Sequence, residues 1–198
     1  RMRRVPAPEA LRCTVSMLRK AARSSTSEIF IADTDGNDLG VGFASFSRVP
    51  RRPTDLPKPE FDLAVVGEMW SKIEPLDEPP RRAAGLRIVD AASGQVELDV
   101  PATVNTPAGA LHGAMIGMLV AAAAEELSAA TVGGAHVACD LDIRYLSQAR
   151  GGPIATRARF VGDPASRSIV VDLIDRGKDE IAAVATELAR CGIAVTVD

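Results

Sequence analysis

Cysteine is scarce in this chain: only Cys13, Cys139 and Cys191 occur among 198 residues. Three scattered thiols make neither a disulfide framework nor a zinc cluster, so a reducing, cytoplasmic setting is the simplest expectation. An excess of one charge is also lacking. Lys and Arg number 23 against 26 Asp and Glu, a net charge of -3, which leaves no global basic field for nucleic acid or anionic lipid. Nor is there a long uniform apolar run: the longest uncharged stretch, 101–124, opens with Pro, Thr, Asn and Gly, which break a membrane-spanning helix. Nucleic-acid and membrane partners are therefore not expected. No G-x-x-x-x-G-K-[ST], G-x-S-x-G or H-E-x-x-H motif occurs, so P-loop, α/β-hydrolase and zincin chemistry have no support. His136 reads as a structural histidine rather than a ligand, and neither metal nor cofactor is expected.

What is present is a 46% hydrophobic chain, long enough for one or two domains with a real core. Seven of its 13 prolines fall at positions 50, 53, 57, 59, 75, 79 and 80. Residues 50–80 thus read as an extended linker with one short apolar piece, 61–70, between an N-terminal piece of 1–49 and a domain of 81–198. The first 23 residues carry seven basic side chains against Glu9 alone, the composition of a transit peptide, but the layout described below argues against that reading.

In 81–198, residues 86–89 and 95–100 alternate apolar and polar around Ser93-Gly94, a hairpin with one buried face. Over 110–130 the period becomes helical: Leu111, Met115, Met118, Leu119, Ala122 and Ala123 recur, with no charge before Glu125 and Glu126. This predicts a helix enclosed on nearly all sides. Strands are expected again at 135–145, 154–161, 168–175 and 180–189, separated by short Gly-containing turns. Hairpin turns require antiparallel neighbours, and a single apolar helix needs a sheet to cover it, so the expected class is α+β, an antiparallel sheet wrapped around one long central helix.

The segment 11–47 repeats the layout of 154–188: a possible strand, a polar turn, a strand ending in Asp, a Gly turn, an Ala-rich strand. Asp33 falls opposite Asp175 and Gly36 opposite Gly177. Leu11, Val15 and Leu18 would also suit a helix face, whereas Leu11, Cys13, Val15 and Met17 suit a strand, and the repeat favours the strand. On this reading the N-terminal piece holds the last strands of a second copy, the rest of which is not in the sequence.

Before the helix stands V-N-T-P-A-G-A-L-H-G-A-M, 104–115, where Pro and Gly set a tight entry and the helix is expected to begin near His112-Gly113. Backbone N–H groups at a helix start have no intrahelical acceptor and lie at the positive end of the dipole, so they can polarise a carbonyl. Gly113 would let a ligand approach that backbone; Gly113 and Gly117 could equally serve only close packing. The run N-x-x-x-G-x-x-H-G, together with D-L-D-I-R-Y-L-S-Q-A-R-G-G-P-I at 140–154, resembles the hotdog-fold acyl-CoA thioesterases, in particular the PaaI-like group. The resemblance covers about residues 84–190, and 1–50 in part through the repeat. It implies a hotdog domain that self-associates by pairing with a second hotdog unit, here as a double hotdog whose first unit, 1–49, is incomplete. Acyl-CoA is then the substrate, bound where units meet, its acyl chain beside the central helix. Carried over by position, Gly113 supplies the oxyanion N–H, His112 orders the loop, and Asn105 positions the water or the carbonyl. Arg167 and Arg150 are the expected CoA-phosphate contacts, unless they are merely solvated, and Met115 joins them in substrate binding.

Two positions depart from the family. Ala114 stands where a second Gly is usual, and Ala121 where the catalytic Asp or Glu lies, nine residues after the His. Glu125, one turn beyond Ala121 on the same face, is the candidate replacement base if the pocket extends so far; a solvated residue near the helix end is the alternative. The leading expectation is a thioesterase in which carboxylate-activated water attacks a thioester polarised by the helix start, with direct attack by the carboxylate as a variant. Loss of the carboxylate at 121 motivates the alternative, a non-catalytic acyl-CoA or hydrophobic-ligand binding protein. A hydratase or dehydratase ranks third, because His112 lacks a nearby Asp.

Overall fold

The computed structural model describes residues 10–48, 76–106 and 109–191, with positions 50, 62 and 68. Most of the expected linker, including all but two positions of the apolar piece 61–70, lies outside the described residues, as do 1–9 of the basic N-terminal run. The chain divides into two compact units, Arg1–Asp55 and Leu56–Asp198.

The first unit is a three-stranded antiparallel meander, β1 (Arg12–Lys20), β2 (Ser24–Ala32) and β3 (Asp38–Ser47). Residues 12–20 are therefore strand and not helix: Val15 pairs with Ile29 and Cys13 with Ile31. The turn after β2 is closed by Asp33, whose carboxylate accepts from the backbone N–H of Asp35 (3.0 Å) and Asn37 (2.8 Å). That is the local Asx closure expected of Asp before a glycine turn.

The second unit opens with a single helical turn, α1 (Pro80–Ala83), and then β4 (Arg87–Asp90), β5 (Gln95–Leu98), the long helix α2 (Gly113–Val132), β6 (His136–Tyr145), β7 (Ile154–Phe160), β8 (Ser168–Asp175) and β9 (Glu180–Cys191). These strands form one six-stranded antiparallel sheet, ordered β4-β5-β7-β8-β9-β6, with α2 against β5 to β9. One sheet around one long helix is the hotdog arrangement. Alternation explains the packing: in β8 the side chains of Ile169, Val171 and Leu173 are fully buried, while the residues between them are half-buried. They meet Leu119, Val120 and Ala123 of α2 and Val96, Leu98 and Ile154 of the sheet in one core, each large side chain worth about 1.5–3 kcal/mol of burial.

α2 begins at Gly113 with His112 as its N-cap, at the expected start, after the Leu111–Asn105 bridge and a left-handed φ of +71° at Gly109. The structure corrects the expectation that the helix is enclosed on nearly all sides, because its burial is one-sided: Ile116, Leu119, Val120, Ala122–Ala124, Leu127 and Ser128 are buried, whereas Met118, Ala121 and Glu125 are only partly covered. The helix is long and apolar enough to cross a membrane by length and composition, but those eight residues are buried within this unit.

The loop after β6 is clamped by one carboxylate. Asp175 is fully buried and accepts the backbone N–H groups of Arg150 (2.8 Å), Gly151 (2.8 Å), Gly152 (2.9 Å) and Gly177 (3.1 Å). Burial opposes its charge, but the four amides outweigh that and hold its carboxyl below the usual range. The two chain segments touch: a Cβ on Gly177 would lie 2.6 Å from the Gly151 carbonyl carbon, so any larger residue would push the loop away from Asp175.

Candidate active site

The segment 104–112 is tied to its surroundings by backbone bonds that set where α2 starts. His112 N–H donates to the Val104 carbonyl (3.0 Å), Leu111 N–H to Ala149 (2.8 Å) and Thr106 N–H to Ala110 (2.7 Å). The start of the helix, the 149–152 loop and the Asp175 clamp therefore lie at one end of the sheet.

At that end His112 is the N-cap residue: its Nδ1 accepts the N–H of Ala114 at 3.1 Å. This satisfies one of the amides that a helix start leaves open, and in the neutral ring it places the proton on Nε2. Gly113 follows as the first helical residue, and its N–H meets no acceptor among the described residues. Asn105 pairs with Leu111 across a single bridge. Its Nδ2 makes a long contact of 3.5 Å to the Val100 carbonyl. Its Oδ1 is shielded from solvent without a hydrogen-bond partner among the described residues. Met115, in the first turn, is partly buried against the core.

Tyr145, not singled out as a site residue on the sequence, also lies here. Leu141, Ile143 and Tyr145 alternate along β6 and face α2. Leu141 Cδ2 and Ile143 Cδ1 approach the Cβ position of Gly117 at 3.9 and 4.0 Å, and Tyr145 Oη approaches that of Gly113 at 3.4 Å. Partial burial raises the Tyr145 pKa above its ordinary value, so the hydroxyl stays protonated at neutral pH. The signal was the period-2 pattern of D-L-D-I-R-Y, which puts Tyr145 on the face of its two apolar neighbours.

Glu125 is not part of this group. It lies twelve residues along α2 from Gly113, about 18 Å at the helical rise. Both of its oxygens are engaged: Oε2 meets Arg81 Nη2 at 2.6 Å and Oε1 accepts the Ala138 N–H at 2.9 Å. Glu125 was the candidate base only if the pocket extends that far, and in this chain it stands away from Gly113 with both oxygens engaged. Glu125 instead joins α1, α2 and the edge strand β6.

The two arginine expectations separate as well. Arg150 sits in the clamped loop at the helix-start end, its guanidinium on Gln148 Oε1. Arg167 lies at the opposite end of β8 from Asp175, about 23 Å away along the strand. It occupies the turn before Ser168 in a left-handed conformation, with Nε buried and unpartnered among the described residues. In one unit Arg167 and Gly113 are thus at opposite ends of the sheet. His136 is buried at the end of α2, with Nε2 2.8 Å from the Gly133 carbonyl and Nδ1 unpartnered among the described residues. Among the described residues no cluster of His, Cys, Asp and Glu is placed to hold a metal. A groove of about 580 Å³, lined by Arg81, Leu86, Arg87, Ile88, Ala122 and Glu126 among others, runs beside α2.

No family model and no curated protein matches the sequence. Solved structures do. A protein of the thioesterase superfamily aligns at 17% identity and a TM-score of 0.50, over 57% of this chain and 88% of its own. The phenylacetic acid degradation protein PaaI of Thermus thermophilus, as an N33D mutant, aligns at 24% identity and 0.48, over 58% and 100%. A Bacillus halodurans protein solved with CoA aligns at 19% and 0.47, over 63% and 81%. At these identities the likeness establishes the fold, and that fold is the hotdog.

Proposed function

We propose that this protein is an acyl-CoA thioesterase that takes the thioester carbonyl at the start of α2. The observation that carries this reading is the unmatched N–H of Gly113 at the positive end of a twenty-residue helix, next to a residue with no side chain to exclude a ligand. An oxygen placed there gains charge as water attacks the acyl carbon, and a fixed N–H stabilises that charge more in the transition state than in the bound ester. His112 holds the turn, Asn105 offers an unmatched Oδ1 to a water or an amide of the ligand, and Arg150 is the phosphate contact at this end. The groove beside Ala122, with Leu86 and Ile88 in its wall, suits an acyl or aryl chain running along α2. The helix carries no Asp or Glu before Glu125, so in this reading the water-activating carboxylate is contributed by a pairing hotdog unit, and the working protein is self-associated.

We further propose that β1–β3 is the counterpart of β7–β9 in a second hotdog unit. Asp33 and Asp175 each accept the N–H two residues on, at 3.0 and 3.1 Å. With those two aligned, Ile29 and Ile31 fall opposite Val171 and Leu173, the residues that α2 covers. Val15, paired with Ile29, and Met17, two residues further along the same face of β1, are 63% and 59% exposed, an apolar face of the kind that α2 covers in the second unit. A cytoplasmic location is part of this proposal.

The engaged carboxylate of Glu125 favours a second reading, an acyl-CoA binding protein without hydrolysis. Free-thiol release from short, long and aromatic acyl-CoAs, measured beside calorimetric binding of the same esters, separates the two. Thiol release supports the enzyme; tight binding without release supports the binding protein; neither binding nor release overturns both.

A further inference from the structure

Resting on the reading of the helix start as a thioester site, we propose that Tyr145 is its second hydrogen-bond donor: its hydroxyl and the Gly113 N–H bind the same carbonyl oxygen. Tyr145 Oη lies 3.4 Å from the Cβ position of Gly113. That position and the Gly113 nitrogen are bonded to one Cα and are about 2.5 Å apart, so nitrogen and hydroxyl are separated by no more than about 6 Å. Two donors that each approach an acceptor to about 2.7–3.0 Å can share one oxygen across such a gap. The gap exists because residue 113 has no side chain. Neither donor is committed elsewhere, since Tyr145 Oη meets no acceptor among the described residues. The alternation of β6 places Tyr145 on the helix-facing side with Leu141 and Ile143. Unlike a second backbone amide, this donor comes from a different element, so α2 and β6 must keep their spacing for both to reach the oxygen.

In the reaction, the oxygen of water bonds to the acyl carbon while the C=O π pair moves onto the carbonyl oxygen. Gly113 N–H and Tyr145 O–H hold that oxyanion by hydrogen bonds, and Tyr145 keeps its proton. When the pair returns, the C–S bond breaks and the thiolate leaves, taking up the proton that the attacking water gave to the base. Tyr145 is a catalytic residue in this scheme because it touches the reacting oxygen.

The test uses the full chain and the variant Tyr145→Phe, which keeps the ring and removes only the hydroxyl. Two inert CoA ligands of equal acyl length are compared by calorimetry: a ketone analogue with CH2 in place of the thioester sulfur, and an S-alkyl thioether, which has no carbonyl. The expected result is that the parent protein prefers the ketone and that Tyr145→Phe reduces this preference about tenfold. Thioether affinity and melting temperature should stay unchanged, because only the carbonyl contact is lost. With a hydrolysed ester, kcat falls about 100-fold while KM stays within a few-fold. A Tyr145→Phe protein that keeps the full preference for the ketone, or that weakens both ligands equally, overturns the assignment while leaving the thioester site standing. A parent protein with no preference for the ketone overturns the site reading and, with it, the role of Tyr145. The two failures differ because the second is read on the parent protein alone. Since Tyr145 is the only tyrosine in the chain, its phenol absorbance provides a separate signal: the ketone should shift it and the thioether should not.

Discussion

A fully buried carboxylate is costly unless its lone pairs are filled, and Asp175 has four backbone N–H groups within 3.1 Å. Asp175→Asn would turn an NH2 toward some of those donors. The expected loss is about 2–3 kcal/mol in a denaturant titration, the scale for hydrogen bonds to a charged group. The pH dependence has a definite sign. Folding lowers the Asp175 pKa, so the unfolded chain binds the proton more readily. The stabilisation is complete above the ordinary carboxyl range near pH 4 and is lost as pH falls through the lower folded value. The stability gap between parent and Asp175→Asn should therefore shrink below about pH 4; a gap that widens with acid would contradict the assignment. Asp175 as a strand end before a glycine turn was legible in the sequence. That the same carboxylate also holds Arg150, Gly151 and Gly152 was not, because those amides arrive from a loop 23 to 25 residues earlier in the chain.

At the scale of elements, Glu125 changes role once its neighbours are known. Helical spacing correctly placed it one turn beyond Ala121, but spacing along a helix says nothing about Arg81 on α1 or the Ala138 amide on β6. An edge strand leaves backbone groups unpaired, and a carboxylate on the covering helix satisfies one of them. Glu125→Ala should thus cost about 2 kcal/mol of stability in the second unit, from one amide bond and a partly exposed ion pair. Glu125→Gln keeps an acceptor for Ala138, and its thiol-release rate should stay within a few-fold of the parent. A loss of about 100-fold or more, the mark of a removed general base, would return Glu125 to the catalytic role. The strands themselves were readable, since period-2 runs between glycine turns gave β4 to β9 to within a few residues. The start of α2 near His112-Gly113 was readable too, from the Pro and Gly entry before it; the Asn105–Leu111 bridge just ahead of the first turn was not.

At the scale of the molecule, ligand binding and folding are linked. A CoA ester that binds only the folded second unit should raise that unit's stability by about 2.7 kcal/mol at a free concentration 100 times Kd, read as an upward shift of its melting transition. The absence of any shift at saturating ester would contradict binding of the ester to the folded unit. The sequence likeness of 11–47 to 154–188 rests on Asp and Gly at the same offsets after a strand. The structure places 12–47 in an antiparallel meander with Val15, Met17, Ile29 and Ile31 on one face.

Local periodicity, turn residues and the H-G entry to an apolar segment were enough to specify one sheet around one helix. These are nearest-neighbour properties: a period of two or 3.6 chooses the element, and glycine turns choose antiparallel pairing. The composition of the site is of another kind. That Tyr145 stands against Gly113, that Arg150 shares its end of the sheet while Arg167 lies at the other, and that Glu125 is held by Arg81 all depend on which elements meet across the core. Those meetings are set by side-chain packing between segments distant in the chain, and no spacing within a segment records them.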